Sequence, residues 1–117
     1  MKTTSPLILK DLLNLLPDYY TLSDRELIQR AFRLAEKAHA GQKRASGEPY
    51  VNHCLAVAAI LVDFLMPADI IAAGLLHDTV EDTSIKIDDL RRDFGEGVAN
   101  LVQGVTKLTQ LPRVSPL

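Results

Sequence analysis

Apolar residues recur at helical spacing along the chain, and the reading they give is all helical. Leu9, Leu12, Leu13 and Leu16 make the stripe of a first helix; Ser5 suits its N-cap, Pro6 its first position, and Pro17 its end. Ser23 and Glu26 have capping-box spacing for a second helix. Its Leu27, Ile28, Ala31, Phe32, Ala35 and Ala38 recur with a period near 3.6, and Gly41 is placed to terminate it. After a polar loop from Gln42 to Glu48, Pro49 opens a third helix running to about Leu65. Pro67 separates it from a fourth, Ala68 to about Asp78. Both are apolar on most sides and are expected to form the buried centre of a bundle. A connector, Thr83 to Ile85, leads to a short helix over Ile87 to Phe94 with Asp88 and Asp89 in its first turn, closed by Gly95. A last helix begins near Glu96 and carries Val98, Leu101, Val102, Val105 and Leu108 on one face, until Pro112 and Pro116 end the pattern.

Length and composition narrow the classes. The 117 residues make one domain or part of one, divided into a helix and turn over about 1–22, motif-bearing helices over 23–111 and a tail over 112–117. No run approaches the ~18 apolar residues of a membrane span, and no secretory signal opens the chain. The single cysteine, Cys54, excludes an internal disulfide framework and fits a reducing cytoplasm. A net charge of −2 gives no reason to expect a general nucleic-acid binder. An anionic ligand would need a local cluster, which Lys43 and Arg44 offer.

The sharpest chemical feature is His77-Asp78-Thr79-Val80-Glu81-Asp82, at the end of the apolar fourth helix. In helical geometry His77 and Glu81 are i,i+4 neighbours, as are Asp78 and Asp82. Burying such a group without partners is costly. A divalent cation removes that cost, because it takes neutral imidazole and ionised carboxylate together. His53 is a second candidate. The third helix rises ~20 Å from His53 to Met66, and the fourth returns ~14 Å from Ala68 to His77. With a tight turn at Pro67, the two histidines end within about one helical turn of the same level, in a bundle core where metals are often held.

His39 reads as a capping or packing group, and His53 alone would read the same way. Cys54 points about 100° away from His53 and reads as a small buried residue. Asp63, Asp88, Asp89, Arg91 and Arg92 read as solvated faces. Joined to the His77-Asp78 and Glu81-Asp82 pairs, His53 gains a functional reading. The loop Gly41-Gln42-Lys43-Arg44-Ala45-Ser46-Gly47-Glu48 lies immediately before the helix that carries His53. Arg44 offers a fork for phosphate oxygens and Ser46 a compact donor, so the loop suits a wall of the same pocket.

Together these residues resemble the hydrolase domain of RelA/SpoT homologues. The resemblance runs from about Ala31 to Leu108, through Ala38-His39-Ala40-Gly41-Gln42-Lys43-Arg44, Ser46-Gly47-Glu48-Pro49-Tyr50, Asn52-His53, Leu75-Leu76-His77-Asp78, Val80-Glu81-Asp82-Thr83, Phe94-Gly95 and Gly104-Val105-Thr106-Lys107-Leu108. It implies an all-α HD-domain helical bundle. It also implies that His53, His77 and Asp78 are metal ligands, usually for Mn²⁺. Glu81 and Asp82 would be the acidic pair that orients or deprotonates the attacking water. Arg44 and Ser46, with Lys43 beside them, would contact the guanine nucleotide. The implied reaction removes the 3′-pyrophosphate of (p)ppGpp, giving GDP or GTP plus pyrophosphate. A synthetase domain (GTP pyrophosphokinase) and regulatory domains would follow in a parent chain.

Two departures stand out. Position 45, often basic in the family, is Ala45. The family's fourth ligand, an aspartate downstream of the Thr-Lys-Leu motif, has no counterpart before Leu117. The chain is therefore expected to be a truncated hydrolase domain that binds Mn²⁺ weakly and is weakly active or inactive by itself. Two other readings stay open at this point. One is an HD-superfamily phosphohydrolase for another nucleotide, which explains the ligands but not the loop. The other is a non-catalytic regulatory HD module, against which the intact Glu81-Asp82 pair argues.

Overall fold

A computed structural model of the chain describes residues 8–109, with side chains to residue 107. Its elements are α1 (Leu9–Leu15), α2 (Leu22–Ala38), α3 (Tyr50–Asp63), α4 (Ala68–Leu76), α5 (Thr79–Asp82), α6 (Ile87–Phe94) and α7 (Glu96–Thr109). Among the described residues there is no strand, only an isolated bridge between Lys43 and Pro49. The all-α class expected from the periodicity is the one observed. No helix among those residues is long and apolar enough to cross a membrane.

Local carboxylates accept the N-cap amides of α1 and α2. Asp11 accepts the Ile8 amide at 3.1 Å in the first turn of α1; the expected Ser5-Pro6 start lies outside the described residues. The capping box of α2 sits two residues earlier than the pattern suggested. The Thr21 hydroxyl accepts the Asp24 amide and Asp24 accepts the Thr21 amide, each at 3.0 Å, so Ser23 and Glu26 lie exposed inside the helix. A shorter acid at the third position closes the box as well as Glu does. Past α2, Gly41 turns the chain with φ +82°, the left-handed region that glycine enters without penalty.

Two devices anchor the first corner. Arg25 in α2 donates to the carbonyls of Leu13 (3.3 Å), Leu16 (3.0 Å), Pro17 (2.9 Å) and Tyr20 (3.2 Å). It thereby satisfies acceptors that the end of α1 leaves open. The Tyr20 hydroxyl donates to Met66 O at 2.6 Å, tying this corner to the turn between α3 and α4.

α4 is the centre, packed against α2, α3 and α7. Its Ile71, Ala72, Leu75 and Leu76 are fully buried. The expectation that α3 would be equally central holds for only one of its faces. Cys54, Leu55, Ala58 and Val62 are buried, while Ile60 and the following Phe64 stand 56% and 70% exposed. α3 and α4 approach closely at Gly74, where a Cβ would fall 2.7 Å from Leu61 Cδ1. α6 is attached to α2 by Arg30, whose guanidinium lies 4.9 Å from the Phe94 ring centroid. On α7 the buried face is Val98, Ala99 and Val102, with Leu101 turned outward. The expected stripe is therefore rotated toward Ala99. Pro112, Pro116 and the Leu108 side chain lie outside the described residues.

Candidate metal and phosphate site

The site grows from the end of α4. His77 and Asp78 follow its last residue and keep right-handed helical dihedrals, with φ/ψ of −59°/−32° and −91°/−8°. The break is closed by Thr79, whose buried hydroxyl donates to Leu76 O at 2.7 Å. Asp82 N–H returns to Asp78 O at 2.9 Å, which closes the first turn of α5. The apolar helix thus ends in the core while the next two side chains emerge half-buried at its tip.

His77 Nδ1 donates to Gly74 O at 2.8 Å, which aims Nε2 at Asp78. Nε2 and Asp78 Oδ2 are 3.1 Å apart. The Asp78 carboxylate raises the His77 pKa against the lowering effect of burial. In return His77 holds the Asp78 carboxyl below the usual range, helped by the Tyr50 hydroxyl.

That Tyr50 contact was not read from the sequence. Tyr50 opens α3 and donates its hydroxyl to Asp78 Oδ2. Its ring lies 4.7 Å from that of His39 and 5.7 Å from that of His53. Burial first, then the Asp78 bond, push the Tyr50 phenol upward. Its position one helical turn before His53 was the available signal, since residues three apart share a face. His39, expected to cap or pack, does both: it is the C-cap of α2 and 2% exposed. Its Nδ1 lies 2.9 Å from Gln42 Oε1, and Gln42 Nε2 donates to Asp82 O at 3.4 Å.

These bonds bring the loop to the acidic turn. Tyr50 N–H donates to Gln42 O at 3.0 Å, Arg44 N–H to Glu48 O at 2.9 Å and Gly47 N–H to Arg44 O at 2.8 Å. Gly47 makes the reversal with φ +90°. The side chains of Lys43, Arg44 and Ser46 are exposed on this folded loop, as are Glu81 and Asp82 on α5. The charges of both acids are felt in the site, Glu81 by His77 and Asp82 by Tyr50. Cys54 is buried as expected, and its thiol is pushed up to about 11 by burial and then by Asp78.

Among the described residues no three His, Cys, Asp or Glu side chains are assembled closely enough to hold a metal ion. His77 and Asp78 touch, and His53 connects to them through the Tyr50 ring. The donor pair nevertheless suits an ion. Two donor atoms ~2.1 Å from one ion and at right angles lie ~3.0 Å apart, close to the 3.1 Å between Nε2 and Oδ2. The Nδ1 bond to a backbone carbonyl is the usual way a ligating imidazole is oriented.

Compared with known protein families, residues 31–116 match the HD domain. Among curated proteins, the chain is 56% identical over 84 residues to the GTP pyrophosphokinase of Streptomyces coelicolor, covering 72% of this chain and 10% of that one. It is 44% identical over 109 residues to the probable GTP pyrophosphokinase of Mycobacterium leprae, covering 93% and 14%. With the probable GTP diphosphokinase RSH3, chloroplastic, of Arabidopsis thaliana it shares 42% over 106 residues, covering 91% and 15%. The chain belongs to the HD domain family and, within it, to the RelA/SpoT homologues. It spans 10–15% of the length of these relatives. HD domains generally depend on a divalent metal, and these relatives are named for guanine-nucleotide chemistry.

Proposed function

We propose that this domain hydrolyses the 3′-pyrophosphate of (p)ppGpp with a divalent ion, Mn²⁺ in the first instance, in a reducing cytoplasm. The observation that carries the reading is the His77–Asp78 pair, with Nε2 and Oδ2 held 3.1 Å apart and Nδ1 anchored on Gly74 O. His77, Asp78 and His53 are the residues that would hold the ion. When bound, it would offset phosphate charge and favour deprotonation of water.

The chain's own groups supply the rest. A water oxygen attacks the phosphorus attached to the ribose 3′ oxygen, and the bond between that phosphorus and the 3′ oxygen breaks. Glu81 or Asp82 accepts the water proton as general base. The 3′ oxygen leaves on the nucleoside, which takes up a proton to become GDP or GTP, and pyrophosphate is released. Arg44 binds phosphate oxygens with its planar fork, Ser46 adds a hydroxyl donor and Lys43 a point charge. The Gln42 bond to Asp82 O supports this reading because it joins the phosphate loop to the turn bearing the acids. The longer relatives' names support guanine nucleotide as the ligand, and further domains, including a GTP pyrophosphokinase, would belong to a parent chain.

The test is product analysis. Incubation of a chain extended through the family's downstream aspartate with ppGpp and Mn²⁺ should release GDP and pyrophosphate in equal amounts, and His77→Ala in that chain should abolish both. Turnover of other nucleotides with none of ppGpp would favour a different HD phosphohydrolase. Nucleotide binding without turnover of any would favour a regulatory module.

A further inference from the structure

We propose that Tyr50 is the positioning residue of the metal-holding pair: its hydroxyl fixes the Asp78 carboxylate, and the two imidazoles beside its ring fix the hydroxyl. This rests on the metal reading above and deepens it. Three observations carry it. The hydroxyl bonds Asp78 Oδ2, the same oxygen that faces His77 Nε2. The ring contacts both His39, at 4.7 Å and tilted 32°, and His53, at 5.7 Å and edge-on at 67°. The Tyr50 backbone is itself pinned, since its amide donates to Gln42 O at 3.0 Å, and Gln42 also bonds His39 Nδ1 and Asp82 O.

A carboxylate on a two-bond side chain has several rotamers, and an ion loses affinity if it must order its ligand. Tyr50 removes that cost by holding the carboxylate before anything binds. It also couples three elements through one residue: α3 through its own position, the loop through its amide on Gln42 O and the α4–α5 turn through its hydroxyl on Asp78. His39, 98% shielded from solvent, serves as the back wall that keeps the ring from swinging away.

Tyr50→Phe keeps the ring and removes only the hydroxyl. Mn²⁺ would be titrated into the 117-residue chain, the Tyr50→Phe variant and His77→Ala. Paramagnetic broadening of the amide signals of residues 77 and 78 gives an apparent Kd even when binding is weak, and thermal unfolding is measured without metal. Losses of this outer-shell kind weaken metal by roughly 10–100-fold. That increase in Kd is expected for Tyr50→Phe, with metal-free Tm lowered by no more than about 8 °C, as one lost hydrogen bond allows. Wild-type affinity in Tyr50→Phe, with binding lost in His77→Ala, overturns the role of Tyr50 and leaves the metal reading intact. Weaker binding that accompanies a larger fall in Tm assigns Tyr50 to the fold and also overturns the proposal. Equal binding by His77→Ala and wild type, or none by wild type, overturns the metal reading and this inference with it.

Discussion

Replacing Thr79 by Val tests whether the turn that presents the site is held by one hydroxyl. Thr79 is 0% exposed, and its hydroxyl donates to Leu76 O at 2.7 Å. Val has nearly the same shape, so packing is preserved and a buried carbonyl loses its donor. Leaving such a group unpaired costs ~1–3 kcal/mol. At ~2.1 cal/mol/K per residue the unfolding entropy of a chain this size is ~0.25 kcal/mol/K, so Tm should fall by ~4–12 °C. Circular dichroism melts of the metal-free chain would measure this, with Thr79→Ser as the control that keeps the hydroxyl and loses one methyl. The serine variant should fall less than the valine variant. A valine variant melting within ~2 °C of wild type, below the range expected for an unpaired buried carbonyl, would refute the reasoning. A serine variant falling as far as valine would show that methyl packing, rather than the bond, holds the turn.

Four further outcomes are expected. The His77 contribution to stability, raised by Asp78, is fully present below the imidazole's ordinary 6.5 and lost as pH rises through its folded value. The Asp78 contribution is present above its ordinary 3.8 and lost as pH falls through its lowered value, so urea midpoints should peak between the two and His77→Ala should flatten the peak. Because a proton and an ion compete for Nε2, Mn²⁺ affinity should rise with pH through the His77 titration; pH-independent titrations would argue against His77 as a ligand. In a complete hydrolase domain, Glu81→Gln should retain metal while turnover falls by ~10²–10⁴, and full activity would remove it as the base. Arg44→Ala should raise KM for ppGpp with Mn²⁺ affinity unchanged, because Arg44 is exposed on the loop and serves phosphate; an unchanged KM would remove it from the site.

What the sequence made legible follows from how local each signal is. The continuous apolar run Ile70 to Leu76 announced the central helix because no face of it is left for water. Gly95 closed α6 where expected, with φ +93°. Where two local solutions compete, pattern reading slipped: Thr21-Asp24 and Ser23-Glu26 both have capping spacing, and the backbone used the first. On α7 a small residue, Ala99, took a core position that the larger Leu101 was expected to share, because close helix packing selects for size. The His77-Asp78 pair was legible as adjacent unlike ligands at the end of an apolar segment. Tyr50 was not, since its importance lies in a contact 28 residues away in sequence. The position of His39 points to capping or packing, but only the fold puts its ring against that of Tyr50.

The four residues of α5 have consequences for how occupancy could be observed. So short a helix has little cooperativity of its own, and the amides of Asp82, its last residue, and Thr83, its C-cap, are held by bonds to Asp78 O (2.9 Å) and Thr79 O (3.1 Å). Local opening of such a segment is far less costly than global unfolding, so these two hydrogens should exchange with deuterium early. Any ligand that requires the closed turn multiplies their protection by 1 + [L]/Kd, ~100-fold at a hundred times Kd. Exchange at these two amides, followed by mass spectrometry or NMR, would then read out binding without label, turnover or a change in the rest of the fold.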